Sequence, residues 1–277
     1  MSNVLPRALA ILERLAHSGE GMELAAVASA LQIPRSATHR LLAELVELGF
    51  VRQTRELGEY RLSTKLASLG LSWLSQSGIS DFAQPLLDHL AEVSGELVRL
   101  SVIDGDRLTW VARAQGARQG LRYDPDMGSD ARLSCSSSGW AVLSVQAEAE
   151  ALRWVKRQGL GRAAEYGPNA PRTQGELMQR VAETRQRGWA ITTETYSMGL
   201  NAIAAPVVRS GRALGAITIA GPSVRFDRKR MEALGPELLA IAQQMAVASG
   251  SSAFFQSAAA LPRQEAVPAP GKDPGRG

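Results

Sequence analysis

Apolar residues recur at helical spacing three times within the first 63 positions. Leu9, Ile11, Leu12 and Leu15 give residues 6–17 one apolar face, and Leu24, Val27, Ala28 and Leu31 do the same for Leu24–Leu31. A third face, formed by Ala37, Leu41, Leu45 and Leu48, follows Pro34, whose fixed φ suits the first position of a new helix. Gly49 then ends that helix as a C′ residue. The period changes at once. Residues 50–53 and 60–63 alternate like two paired strands around a tip, 54–59, that carries Arg55 and Gly58. Two helices across a short turn, followed by a two-stranded wing, predict a winged helix-turn-helix. Its second helix offers Arg35, Ser36, Thr38, His39 and Arg40, donors of the kind that reach phosphates and base edges in a major groove; Arg52 and Arg55 extend them onto the wing. Residues 32–65 hold six basic side chains against four acidic ones, so one copy would bind a polyanion weakly. Specific affinity then calls for at least two copies on adjacent half-sites.

Beyond the wing, Ser63 caps a helix over residues 64–75. Its Leu66, Leu69 and Trp73 form a stripe too apolar to leave in water, so this helix is expected to link two domains and to pack in an interface. A further helix runs from Ser80 or Asp81 to about residue 93. From Glu96 the period shortens: 96–103 and 107–114 read as strands joined by Asp104-Gly105-Asp106, with a short strand at 121–123. Helices follow at 139–145, 148–158 and 173–187, then strands at 189–193, 201–208 and 213–220. A closing helix over 227–248 is capped by Asp227 and apolar along Met231, Leu234, Leu238, Ile241 and Met245. Long antiparallel strands mixed with helices make the fold class α+β. Residues 250–277, rich in Ser, Ala, Pro and Gly without apolar periodicity, are expected to be disordered. The expected division is a DNA-binding domain over 1–63, a linker helix over 64–79, a second domain over 80–249 and a tail over 250–277.

The chain has 277 residues, 45% hydrophobic and 21% charged, which leaves room for two cores, and its net charge of +4 suits a polyanionic partner. The lone cysteine, Cys135, excludes an intrachain disulfide and fits a cytoplasmic protein. Glu13 and Arg14 interrupt the first apolar run, which lacks the features of a signal peptide. No stretch approaches the ~20 apolar residues that span a bilayer, so no membrane partner is expected. His17, His39 and His89 are the only histidines, and there is no G-x-S-x-G elbow or metal-ligand cluster. Neither enzymatic activity nor a metal or cofactor is expected. An alternative role for Cys135 is thiol redox sensing, because a predicted helix start and Arg132 lie close by and both favour a thiolate.

Three stretches of the second domain could carry chemistry. In MGSDARLSCSSSGW, residues 127–140, small hydroxyl side chains precede a helix, leaving donors at the positive end of its dipole where an anion fits. GLNAIAAPV, residues 199–207, and GAITIAGP, residues 215–222, are strands whose small residues leave space beside them. Together with IPRSATHRLLAELVELGFV, SGWAVLS and GWAITTET, these stretches resemble the isocitrate lyase regulator (IclR) family of bacterial transcription factors over most of residues 5–248. The resemblance implies an N-terminal winged helix-turn-helix, a linker helix and a C-terminal GAF-like effector-binding domain. It also implies a double-stranded DNA operator, a carboxylate or aromatic metabolite as effector, and a homodimer or homotetramer. It places the ligand-lining positions on Gly120, Tyr123, Ser137, Ser138, Thr192, Leu200, Ala202, Thr218 and Ala220. This chain departs from the family pattern, which often has aspartate at Thr192, cysteine at Ala202 and serine at Thr218 or Ala220. A less acidic pocket with the Tyr123 ring favours an aromatic or larger monoanion. With no basic side chain assigned to the pocket, hydroxyls and backbone N–H groups at the helix start are expected to hold that anion.

Overall fold

A computed structural model describes residues 4–54, 58–105, 107–125 and 130–252. The chain forms two compact units, Met1–Gln76 and Ser77–Gly277. In the first, helices α1 (Val4–Ala16), α2 (Leu24–Leu31) and α3 (Arg35–Glu47) precede strands β1 (Val51–Gln53) and β2 (Tyr60–Leu62), and α4 (Thr64–Ser77) follows. Ile11, Leu15, Val27, Leu41, Leu42, Leu45, Val51 and Tyr60 make its core. The turn between α2 and α3 is short because Gln32 takes the left-handed conformation (φ 53°) and the Ile33 N–H reaches back to the Ala28 carbonyl at 3.0 Å. Pro34 stands at the N-cap of α3, one position before the place the sequence implied. The helix is also rotated from its expected phase. Thr38, Leu41, Leu42 and Leu45 are buried, whereas Leu48 is 58% exposed, because the stripe that faces α1 and the wing starts one residue later than Ala37.

The wing pairs β1 and β2 antiparallel, Val51 opposite Leu62 and Gln53 opposite Tyr60. Met22 adds an isolated bridge to Tyr60. Ser63 ends the wing and starts α4, donating to the Gly49 carbonyl and accepting from the Lys65 N–H at 3.1 Å. The Lys65 ammonium donates to the Leu48 carbonyl at 2.7 Å, which places a cation at the negative end of α3.

The second unit is built on an antiparallel sheet in the order β4-β3-β7-β6-β5. Its strands are β3 (Leu97–Asp104), β4 (Arg107–Gln115), β5 (Ala190–Thr193), β6 (Leu200–Arg209) and β7 (Arg212–Pro222). Helices α5 (Ile79–Ser94) and α9 (Arg228–Ala248) pack on one face; α6 (Ser137–Val145), α7 (Glu148–Gln158) and α8 (Gln174–Arg187) belong to the core on the other. Period-2 alternation sorts the strand residues between these two cores. Val98, Leu100, Val102, Ile203, Ile217 and Ile219 meet α5 and α9, whereas Ala190, Ala204 and Ala216 meet α6. The small residues of β6 and β7 thus lie under α6. Gly139 brings the first turn of that helix against the preceding loop, where a Cβ would lie 2.5 Å from the Leu133 Cα.

Residues 121–123 form no strand. This stretch is tied instead by side chains, with Arg225 Nη1 donating to the Leu121 carbonyl at 2.6 Å and Gln115 Nε2 to the Tyr123 carbonyl at 3.0 Å. The same Arg225 makes a two-pronged pair with Glu96, at 2.6 and 2.9 Å. At the far end, Ser249–Ser251 adds a 3-10 turn and the Ser252 hydroxyl donates to the Ser77 carbonyl, so the folded unit reaches three residues into the tail expected to be disordered. The rest of that tail, 253–277, lies outside the described residues.

Candidate nucleic-acid interface and ligand pocket

A groove between α3 and the wing is lined by Leu24, Arg35, Ser36, His39, Gln53, Gly58 and Tyr60. Arg40 and Arg52 are exposed but are not part of its lining. Gln53, which the sequence did not single out, is held at the groove by donating Nε2 to the Gly58 carbonyl at 3.2 Å. Thr38 does not belong to this surface. Its side chain is fully buried and its hydroxyl turns back to the carbonyls of Pro34 and Ile33, at 3.2 and 3.4 Å, so it cannot reach DNA. Arg55 lies outside the described residues.

In the second unit a narrow pocket, with a cavity volume of about 20 Å³, opens between the N-terminus of α6 and the sheet. Tyr123, Ser137, Ser138, Thr192, Leu200, Ala202, Thr218 and Ala220 all line it. Gly120 does not: it is exposed in a left-handed turn (φ 75°), with open space where a Cβ would be. Sheet register explains the gathering. Thr192 lies opposite Ala202 and Ala202 opposite Ala220, so one row of side chains on one face forms a floor. Thr218 sits one step along β7, and its hydroxyl meets that of Ser138 at 2.7 Å. The Thr192 hydroxyl donates to the Ala202 carbonyl at 3.1 Å and so offers the pocket only its lone pairs.

Ser136 caps α6, accepting from the Gly139 N–H at 3.0 Å and donating to the Arg132 carbonyl at 2.6 Å. That leaves the amides of Ser137 and Ser138 at the positive end of the helix without intrahelical acceptors. Four further residues line the pocket beyond the positions the resemblance gave: Ser136, from the hydroxyl-rich stretch, and Arg99, Trp110 and Tyr196, which the sequence did not single out. Arg99 is the important one. Its guanidinium lies 3.8 Å above the Trp110 ring, its side chain is nearly sealed from solvent, and Nε and Nη1 find no hydrogen-bond partner. Burial pushes its pKa below the ordinary arginine value, partly offset by Tyr123 and Tyr196, though an arginine stays charged at any physiological pH. The expectation of a pocket without a basic side chain is therefore wrong. The available signal was a lone charge inside LVRLSVI, an otherwise apolar strand.

Burial also raises the phenol pKa values of Tyr123 and Tyr196, so both remain hydroxyl donors. Cys135 behaves the same way. Its thiol is fully buried and burial pushes its pKa up to about 12, outweighing the Ser134 hydrogen bond and the Arg132 charge. The thiolate that redox sensing requires is not favoured here. Among the described residues, no helix is long and apolar enough to cross a membrane and no group of His, Cys, Asp or Glu is placed to hold a metal ion.

A winged helix-turn-helix joined to a helix-flanked antiparallel sheet that carries a pocket is the architecture of a two-domain transcriptional regulator. Residues 4–55 match the IclR helix-turn-helix domain, and residues 71–247 match the bacterial transcriptional regulator IclR C-terminal domain. The chain belongs to the IclR family of DNA-binding transcriptional regulators. It is 30% identical over 250 residues to the acetate operon repressor of Salmonella typhimurium, covering 90% of each chain. It is 29% identical over 248 residues to the transcriptional repressor IclR of Escherichia coli, covering 89% of each. Among solved structures, an IclR regulator from Alicyclobacillus acidocaldarius superposes with a TM-score of 0.77 at 21% identity, covering 90% of this chain and all of that one. An IclR homologue from Microbacterium hydrocarbonoxydans, solved in complex with 4-hydroxybenzoate, gives 0.73 at 18% identity over 88% of this chain and 99% of that one.

Proposed function

We propose that this chain is a regulator whose operator binding changes when a small organic acid or aromatic metabolite occupies the pocket between α6 and the sheet. Residues 1–63 contact DNA, 64–79 link, and 80–249 hold the effector. Arg35, Ser36, His39, Arg40 and Arg52 carry the operator contacts, with Arg55 of the wing tip. Tyr123, Ser137, Ser138, Thr192, Leu200, Ala202, Thr218 and Ala220 surround the effector. The observation that carries this reading is the pocket itself: hydroxyls and free amide donors at a helix start face a floor of small apolar side chains. Support also comes from the structural neighbour bound to 4-hydroxybenzoate. Both relatives named above are repressors, and repression is the sign we assign.

The exposed side chains of Leu69, Leu71 and Trp73 on α4 favour a homo-oligomer, whose paired modules would span two half-sites. The test is a mobility-shift titration of the DNA upstream of its own gene, with and without a panel of organic acids. Retarded DNA that one or more acids release supports the assignment. Absence of DNA binding, or DNA binding indifferent to an acid that thermal shift shows to be bound, sinks it.

A further inference from the structure

Orphaned donors are the most unusual feature of the pocket. Arg99 is 4% exposed, with Nε and Nη1 unpartnered, and the indole Nε1 of Trp110 beneath it is buried and unpartnered as well. Among the described residues that line the pocket, none is acidic. Tyr123 gives the guanidinium a hydrogen bond but no counter-charge, and folded proteins normally pair a buried charge with an opposite one. Here all the unmet demand is for an acceptor, which an oxyanion from outside would supply. Resting on the pocket reading above, we propose that Arg99, braced by Trp110, is the carboxylate-binding residue and makes the pocket selective for monoanionic acids over neutral and dianionic ligands.

The selectivity follows from the surroundings. One guanidinium compensates one carboxylate, aided by the free amides at the start of α6. Leu200, Ala202 and Ala220 cluster with Tyr123 and Tyr196, which suits a flat or branched apolar body. A second carboxylate would lie against these side chains and lose its hydration without compensation. A neutral amide of the same shape leaves the guanidinium uncompensated, and an ammonium group would meet a cation of like charge.

The test uses the full-length protein at constant ionic strength, with acetate, isobutyrate and benzoate as probes, their amides as neutral isosteres and phthalate as the dianion. Calorimetry should show at least one of the three acids bound about tenfold or more tightly than its amide, and benzoate more tightly than phthalate. Arg99→Met should weaken the preferred acid by about tenfold to a hundredfold and leave its amide within about twofold. Without any ligand, Arg99→Met should keep or raise the Tm, because it removes an uncompensated buried charge. Three results overturn the proposal: no acid preferred over its amide, an acid bound by Arg99→Met with native affinity, or a ligand-free Tm lowered by several degrees, which would reveal a structural counter-charge. Ala202→Leu, which fills the floor, should abolish acid and amide binding alike. If it leaves acid binding intact the site lies elsewhere and the pocket reading fails, whereas a loss in Ala202→Leu with none in Arg99→Met fails the Arg99 assignment alone.

Discussion

Arginine serves the two domains in opposite settings. Arg35 and Arg40 project from α3 into solvent, while Arg99 is buried on a sheet face under α6. A solvated guanidinium is stable alone and accepts any phosphate, so each contact adds affinity through counterion release with little discrimination. A buried one has lost its hydration and tolerates only a correctly placed anion, so it adds discrimination at a cost in stability. The DNA-binding surface can gain strength by accumulating such charges, whereas the pocket draws its selectivity from having one.

The sharpest way to break this contrast is to build an anion into the pocket. Ser138→Asp removes the hydroxyl contact to Thr218 and sets a carboxylate at the start of α6, where the ligand's would lie. Binding of the preferred acid should fall roughly a hundredfold or more, equivalent to two charge-assisted hydrogen bonds. Calorimetry showing near-native affinity would move the anion site away from the helix terminus. On the surface side, Arg40→Ala should weaken operator binding by ~1–3 kcal/mol in gel-shift titrations at fixed salt. Thr38→Val, which alters only a buried hydroxyl beside it, should stay within ~0.5 kcal/mol. Equal losses in the two variants would mean that the helix docks by a different face.

Wing contacts should show a weaker, purely electrostatic signature. Arg52→Ala, and Arg55→Ala at the wing tip, should each flatten the log–log salt dependence of operator binding by about one unit of slope. An unchanged slope would leave the mutated side chain in solvent in the complex. The smallest effect concerns Cys135, whose pKa lies at about 12 in the fold against an ordinary 9.0. Between those two values the unfolded thiol ionises while the folded one stays protonated, so the stabilisation from this site is complete below pH 9 and is lost as pH rises through that window. At pH 8 the native protein should resist alkylation, and mild peroxide should leave operator binding unchanged. Rapid modification of the native thiol would revive a redox role.

Helix boundaries were legible in the sequence because their determinants are local. Thr173 and Asp227 accept from the N–H groups of Glu176 and Arg230, at 3.1 and 2.8 Å, and Ser63 does the same for Lys65. Alternation likewise marked the strands, and the family resemblance named eight positions that share one pocket lining. Other features depended on the partner packed against each face. Periodicity states which residues share a face; it does not state which face is covered, and that is why α3 appeared one residue out of phase and Thr38 appeared to point outward. Arg99 is the clearest case. Leu97, Arg99 and Ser101 alternate with Val98, Leu100 and Val102, a pattern that reads as a strand with one wet side. Tertiary structure makes that side dry. A bulge where the β3–β4 register shifts between Leu100 and Ser101 turns Trp110 toward the same face, α6 settles over the small residues of β6 and β7, and an ordinary strand arginine becomes a buried charge awaiting an anion. Burial acts on Cys135 in the same way, because desolvation depends on everything packed around a group and a chain of letters carries only its neighbours along the backbone.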